Sequence, residues 1–214
     1  MIVLEVAAFV LMLVLAYLVG SIPFGLVVGK VFYHVDVREH GSGNVGTTNV
    51  VRVLGKKAGA VVLVCDMLKG YIPAAIAAAF FNPWLAIFIA AAPVVGHMYS
   101  VFLKGRGGKG VATGAAVVLA LVPLAFLIII VVWVVLILAT RYVSLASLVA
   151  TSLVPVLTHV FHDPTPYQIA AVLVTIVIFW AHRANIRRLV GGTENRVKLP
   201  WSRNHSALVG GGGT

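Results

Sequence analysis

Cysteine and negative charge are what this chain has least of. A single cysteine, Cys65, excludes a disulfide framework and a multi-cysteine zinc site. Six Asp or Glu residues face sixteen Lys or Arg, and charged residues make up only 10% of 214 positions. A soluble domain averages about 25% charged and roughly 45–50% apolar. Here 61% is hydrophobic and the mean hydropathy is +1.05. The composition therefore excludes an ordinary soluble domain and reads as an all-α, polytopic membrane helix bundle. The net charge of +10 could suggest nucleic acid. Aromatic residues do not interleave with the basic segments, however, so no nucleic-acid partner is expected, and the charge reads as loops retained on the inner side of the membrane.

Seven apolar stretches can be delimited: Ile2–Val28, Ala58–Phe81, Trp84–Leu103, Val111–Leu121, Leu124–Ala139, Val143–Val160 and Tyr167–Ala181. The first lacks a basic n-region and is long enough to span, so it reads as a mature helix rather than a cleaved signal. The fourth rises only about 16 Å against a hydrocarbon core of ~30 Å. Turn chemistry separates the others at Asn82-Pro83, Pro123 and Asp163-Pro164-Thr165-Pro166.

With seven spans, alternate connections carry Lys30, Arg38, Arg52, Lys56 and Lys57, then Lys104, Arg106 and Lys109, then Arg141, then the cluster from Arg183 onward. The opposite connections, near Asn82, Pro123 and Asp163, contain no Lys or Arg. That asymmetry predicts seven transmembrane helices with the N-terminus outside and the C-terminus cytoplasmic. A six-span count would need two runs to merge and would put basic loops on both faces. Residues 1–198 read as one transmembrane domain, and 199–214, which lack apolar period and end GGGGT, as a disordered tail.

Three polar blocks then fall on the cytoplasmic side. GSGNVGTTN (Gly41 to Asn49) formally matches G-x-G-x-x-G, but no βαβ unit surrounds it. Its glycines allow a nest of backbone N–H groups for an anion. Ser42, Thr47 and Thr48 add hydroxyls, and Asn44 and Asn49 add amides; the alternative is a flexible connector with helix caps. GRGGKG (Gly105 to Gly110) fails as a P-loop, because Gly110 follows Lys109 and Leu103 stands where the first glycine belongs. It remains either a basic orientation loop or a phosphate-binding start of a helix, with Gly107, Gly108 and Lys109. In HRANIRR (His182 to Arg188), His182, Asn185 and Arg188 share one helix face, either as a snorkelling end or as a site.

Asp66 and Lys69 lie three residues apart inside the second span, with Lys69 about 16 Å along the helix from Ala58. They either neutralise each other or face substrate. His97 reads as a packing residue, and His159, His162 and Asp163 fall on the opposite side of the membrane.

Taken together, GSIPFG (Gly20 to Gly25), GSGNVGTTN, VRVLGKKAG (Val51 to Gly59), DMLKG (Asp66 to Gly70), GHMYSVF (Gly96 to Phe102), GGKGVAT (Gly107 to Thr113), RYVSLAS (Arg141 to Ser147) and HRANIRRL (His182 to Leu189) make the chain resemble the bacterial integral-membrane acyl-phosphate:glycerol-3-phosphate acyltransferases. Thr47, Arg106 and Ala184 depart from the residues common there. The resemblance implies a seven-helix bundle in the bacterial cytoplasmic (inner) membrane, with its active site facing the cytoplasm. It implies acyl phosphate and glycerol-3-phosphate as substrates, lysophosphatidic acid and inorganic phosphate as products, membrane lipid as surroundings, and no cofactor or metal; the chain is read as a monomer. Ser42, Lys109, His182 and Asn185 carry over as catalytic residues. Gly41, Gly43, Asn44, Thr48, Asn49, Arg52, Asp66, Lys69, Gly107, Gly108 and Arg188 are the substrate-binding candidates. The proton acceptor is either His182 or a substrate phosphate.

An acyl phosphate is a mixed anhydride with a good leaving group. Its acyl transfer asks mainly for orientation and charge stabilisation, which suits Arg, Lys and backbone N–H groups without a carboxylate pair. The competing classes are an organic-anion transporter, which would spread polar groups through the membrane depth, and a lipid-binding scaffold with no chemistry.

Overall fold

The computed structural model of the chain describes residues 2–197, so the tail 199–214 lies outside the described residues. Among the described residues every regular element is helical. The α-helices are α1 (Ile2–Ser21), α2 (Phe24–Tyr33), α3 (Thr47–Leu54), α4 (Lys56–Phe80), α5 (Pro83–Met98), α6 (Val111–Leu121), α7 (Pro123–Thr140), α8 (Val143–Val160), α9 (Thr165–Ala181) and α10 (Arg183–Val190). A short 3₁₀ turn, Val101–Leu103, follows α5.

Local chemistry accounts for the boundaries. Asn82 caps α5 by accepting from the Trp84 and Leu85 amides at 3.1 and 3.2 Å, and Pro83 opens the helix where no N–H is needed. Pro123 opens α7 in the same way. The first apolar stretch is not one helix. It breaks at Ile22-Pro23, and α2 starts at Phe24. Proline has no N–H to continue the ladder, and the freed carbonyl of Ile22 accepts from Lys69 Nζ at 2.8 Å.

α5 is the central strut. It packs against α1 and α4 and touches α6 and α9, and with the 3₁₀ turn that follows it 61% of its most apolar stretch is buried, against 6% for α1. The α1–α5 approach is close because Gly20 and Gly96 face it. A Cβ on Gly20 would collide with the Pro93 backbone, and one on Gly96 with the Tyr17 carbonyl. α6 packs on α4, α7 on α8, and α8 on α9. Large apolar side chains such as Leu11, Leu127, Val131 and Leu173 stay exposed, as expected of a multi-pass integral membrane protein facing lipid.

Among the described residues five helices are long and apolar enough to cross a membrane, and a sixth if α9 and α10, bent by 62°, count together. α6 is the exception: at 11 residues it is about 16 Å long. It can be this short because it sits inside the bundle, with Thr113, Gly114 and Ala116 buried.

Candidate active site

One cavity of about 350 Å³ collects most of the polar candidates. Ser42, Asn44, Thr48, Asn49 and Arg52 reach it from the loop before α3 and from α3 itself. Asp66 reaches it from α4, Lys109 from the loop before α6, and His182, Asn185 and Arg188 from the α9–α10 bend. Beyond these residues the cavity continues between α6, α7, α8 and α9 and becomes apolar.

The polar mouth is built by loops whose shape is set from within. Gly41 and Gly43 adopt φ of 63° and 69°, the left-handed region that glycine tolerates. This brings the Ser42 amide within 2.8 Å of Asn49 Oδ1. Asn49 is buried, and its Nδ2 donates to the Val37 and His40 carbonyls at 2.8 and 3.1 Å. Asn44 Oδ1 accepts from the Gly46 amide at 2.8 Å. Both amides therefore pin the glycine-rich loop, while the Ser42 hydroxyl and the Arg52 guanidinium have no hydrogen-bond partner among the described residues.

The loop carrying Lys109 rests on the end of α5. The Gly107 amide donates to the Met98 carbonyl at 3.0 Å and the Gly108 amide to the His97 carbonyl at 2.9 Å. A Cβ on Gly107 would collide with the His97 carbonyl, and one on Gly108 with the His97 ring. Gly107 and Gly108 lie outside the main cavity and line a smaller pocket of about 220 Å³ beside it. Asn44 and Lys109 border both. Gly41 and Gly43 line neither pocket.

Lys109 Nζ donates to Asn185 Oδ1 at 2.5 Å. Asn185 Nδ2 donates to Glu194 Oε1 at 2.6 Å, and the same carboxylate accepts from Ser144 Oγ at 2.9 Å and Arg188 Nε at 2.6 Å. The carboxylate can only accept, so it fixes the Asn185 amide with its oxygen toward Lys109. Burial would raise the Glu194 carboxyl, but the bonds from Asn185, Arg188 and Ser144 outweigh it and hold the group below its ordinary value. Burial lowers Lys109 to about 8, with Glu194 opposing the shift and Arg188 and Arg52 adding to it.

His182 terminates α9 and is buried. Its Nδ1 lies 2.8 Å from the Ile178 carbonyl, which can only accept, so Nδ1 carries a proton and Nε2 is the remaining site. Burial, followed by the Lys109 charge, lowers the imidazole to about 4, so at neutral pH Nε2 is an unprotonated acceptor.

Asp66 and Lys69 separate in placement. Asp66 borders the cavity, but Lys69 does not. Lys69 Nζ lies 2.7 Å from Asp66 Oδ1 and donates to the Ile22 carbonyl, tying α4 to the α1–α2 break. His97 Nδ1 stands 3.7 Å from the same carboxylate oxygen. Glu194 is not among the sequence candidates. Its only sequence signal is scarcity, as one of six acids, placed after a Gly191-Gly192 turn that reverses the chain toward Arg188. Among the described residues no group of three or more His, Cys, Asp or Glu is arranged to hold a metal.

The chain is similar to a known set of proteins in sequence and in fold. A family model described as glycerol-3-phosphate acyltransferase matches residues 10–192. A glycerol-3-phosphate acyltransferase of Geobacillus kaustophilus is 51% identical over 194 residues, covering 91% of this chain and 98% of the relative. A glycerol-3-phosphate acyltransferase of Macrococcus caseolyticus is 43% identical over 189 residues, covering 88% of this chain and 97% of its own. Among solved structures, PlsY (YgiH), an integral membrane glycerol 3-phosphate acyltransferase, superimposes in its glycerol 3-phosphate form with a TM-score of 0.86. That comparison has 44% identity and covers 89% of this chain and 96% of that one. The lysophosphatidic acid form of the same protein gives a TM-score of 0.84. On its sequence, its fold and its extent, this chain belongs to the glycerol-3-phosphate acyltransferase family.

Proposed function

We propose that the chain transfers the acyl group of an acyl phosphate to the 1-hydroxyl of sn-glycerol-3-phosphate, releasing lysophosphatidic acid and inorganic phosphate. The observation that carries this reading is the single cavity joining a cationic mouth, with Arg52, Lys109 and Arg188, to an apolar interior. Such a cavity suits a doubly anionic, water-soluble acceptor and a lipid donor that must meet at one point. The forms in which PlsY was solved, with glycerol 3-phosphate and with lysophosphatidic acid, support the acceptor and the product.

The donor chemistry follows from what the mouth contains. An acyl phosphate brings its own leaving group, so the protein has to orient two anions and offset charge on the carbonyl oxygen as the hydroxyl attacks. Lys109, held by Asn185, supplies the charge; Ser42 and the backbone around it receive the donor phosphate; Arg52 and Arg188 neutralise the acceptor phosphate. The acceptor C–O bond forms as the acyl–phosphate bond breaks, and inorganic phosphate departs. The hydroxyl proton goes to phosphate. A phosphate monoester has a second pKa of about 6, which makes it a stronger base than His182 at about 4. His182 Nε2 orients the acceptor by accepting a hydrogen bond from its 2-hydroxyl, which leaves the attacking hydroxyl free to give its proton to phosphate.

The same reading places the chain in the bacterial inner membrane as a monomer with seven spans, its N-terminus outside and the mouth facing the cytoplasm. The absence of Lys and Arg from the connections at Asn82, Pro123 and Asp163 supports that orientation. Counting α9 with α10 as one crossing and the enclosed α6 as another brings the five long apolar helices to seven.

Purified protein given glycerol-3-phosphate and, in separate reactions, acyl phosphate, acyl-CoA or acyl-carrier protein tests the donor. Release of lysophosphatidic acid and phosphate from acyl phosphate alone is expected. Transfer from acyl-CoA or acyl-carrier protein at an equal rate would contradict it.

A further inference from the structure

The cavity does not end where the polar residues end. One face of α8 lines it from Ser144 through Ser147, Ala150 and Val154 to Thr158, and one face of α9 lines it from Tyr167 to His182. The helical rise along these faces is about 21 Å for α8 and about 22 Å for α9, so two independent walls give one depth. Half of a hydrocarbon core is only ~15 Å. The far end is therefore deeper than one leaflet.

Its last lining residues come from the ends of α7, α8 and α9 beside the α8–α9 turn. Thr158 is fully buried, and Phe126 and Tyr167 line the last part of the wall. Behind them the α8–α9 turn is tied by its own hydrogen bonds. The Asp163 amide donates to the Thr158 carbonyl at 3.0 Å, Gln168 Nε2 donates to the Asp163 carbonyl at 2.8 Å, and His159 Nδ1 lies 3.2 Å from Gln168 Oε1. These polar residues have no other part in the site.

We infer that the floor formed by Thr158, Tyr167 and Phe126, backed by the α8–α9 turn, sets the longest acyl chain the enzyme accepts from its lipid donor. This rests on the acyl-transfer reading above. Selection works by exclusion. A chain leaving the membrane for an apolar cavity exchanges one apolar surrounding for another and gains little from burial. A chain that overruns the floor must fold back or displace packed side chains. An extended chain advances about 1.25 Å per carbon for C–C bonds of ~1.5 Å, so a depth of about 21 Å accepts about 17 carbons.

The test measures kcat/KM for a series of acyl phosphates, from well below to well above this length, in mixed micelles with saturating glycerol-3-phosphate. Wild-type protein should show a plateau up to the limit and a fall of roughly tenfold beyond it, the equivalent of ~1.4 kcal/mol of overpacking. Ala171→Phe puts a ring into the wall one turn above Tyr167, about 6 Å short of the floor. It should cut off about five carbons earlier while leaving the shortest donors at the wild-type rate. Tyr167→Ala should move the cut-off to longer chains. The short-donor rate reports folding in each variant. Normal transfer from short donors with the cut-off unmoved in both variants overturns the floor proposal alone. No transfer from any donor by wild-type protein overturns the acyl-transfer reading and this proposal with it.

Discussion

Lys69 and Lys109 are both lysines drawn out of water in one bundle, and their surroundings differ in one respect. Lys69 is 3% exposed and meets a carboxylate, Asp66, at 2.7 Å, and a carbonyl, Ile22, at 2.8 Å. Lys109 meets a neutral amide oxygen, Asn185 Oδ1, and among the described residues it forms no ion pair with a carboxylate. Its nearest acid, Glu194, is one residue removed, behind Asn185 and bonded to Arg188. A buried lysine with its charge answered inside the protein holds helices together. A lysine whose charge is left unanswered at a cavity wall is poised for an anion from outside.

The sharpest way to break the comparison is on the Lys69 side. Lys69→Met leaves the Asp66 carboxylate buried without its partner, which costs about 3–5 kcal/mol of stability. A large fall in the unfolding temperature in detergent is expected. The double variant Asp66→Asn/Lys69→Met, with no buried charge, should recover most of it. A single variant as stable as wild type would remove Lys69 from its bracing role.

The next largest effect concerns how Lys109 is aimed. Gly108→Ala places a methyl group against the His97 ring and shifts the loop. Displacement by about 1 Å costs roughly 10²-fold in rate. The expected outcome is a loss in kcat/KM with little change in unfolding temperature, and full activity would show that the loop tolerates the shift.

The smallest effect is in pH. Lys109 is lowered to about 8, so its charge is present below that pH and lost as pH rises through it. The kcat should fall above about pH 8, approaching tenfold per unit. Glu194 favours the charged amine, so Glu194→Gln should move this limb to lower pH. A kcat flat to about pH 9.5, well past that point, would mean that another cation offsets the charge on the carbonyl oxygen.

Much of the bundle is legible in the sequence because hydropathy and turn residues act locally. α6 and α8 fall on the expected stretches, Val111–Leu121 and Val143–Val160; Gly110 and Pro123 bracket the first, and the apolar run itself sets the second. The break at Pro23 is hidden because Phe24 to Val28 stays apolar; Lys69, far along the chain, accommodates the turn by taking the Ile22 carbonyl. Helical spacing puts His182, Asn185 and Arg188 on one face, and all three border the cavity. Spacing cannot show that Asn44 and Asn49 turn inward to pin their own loop, or that Asp66 and Lys69 part company at the cavity wall. Glu194 escapes a reading by period because a chain reversal, not a helical repeat, brings it to Asn185.

The most direct measurement is phosphate release from acyl phosphate and glycerol-3-phosphate, per folded molecule, for Lys109→Ala beside Lys69→Met. Removing one preorganised donor of charge costs about 10²–10³ in kcat. Lys109→Ala should lose that much while keeping its unfolding temperature, and the surviving folded Lys69→Met should stay within about threefold of wild type. Equal losses in the two variants, or a Lys109→Ala protein that releases phosphate at the wild-type rate, would contradict the assignment of the site to Lys109.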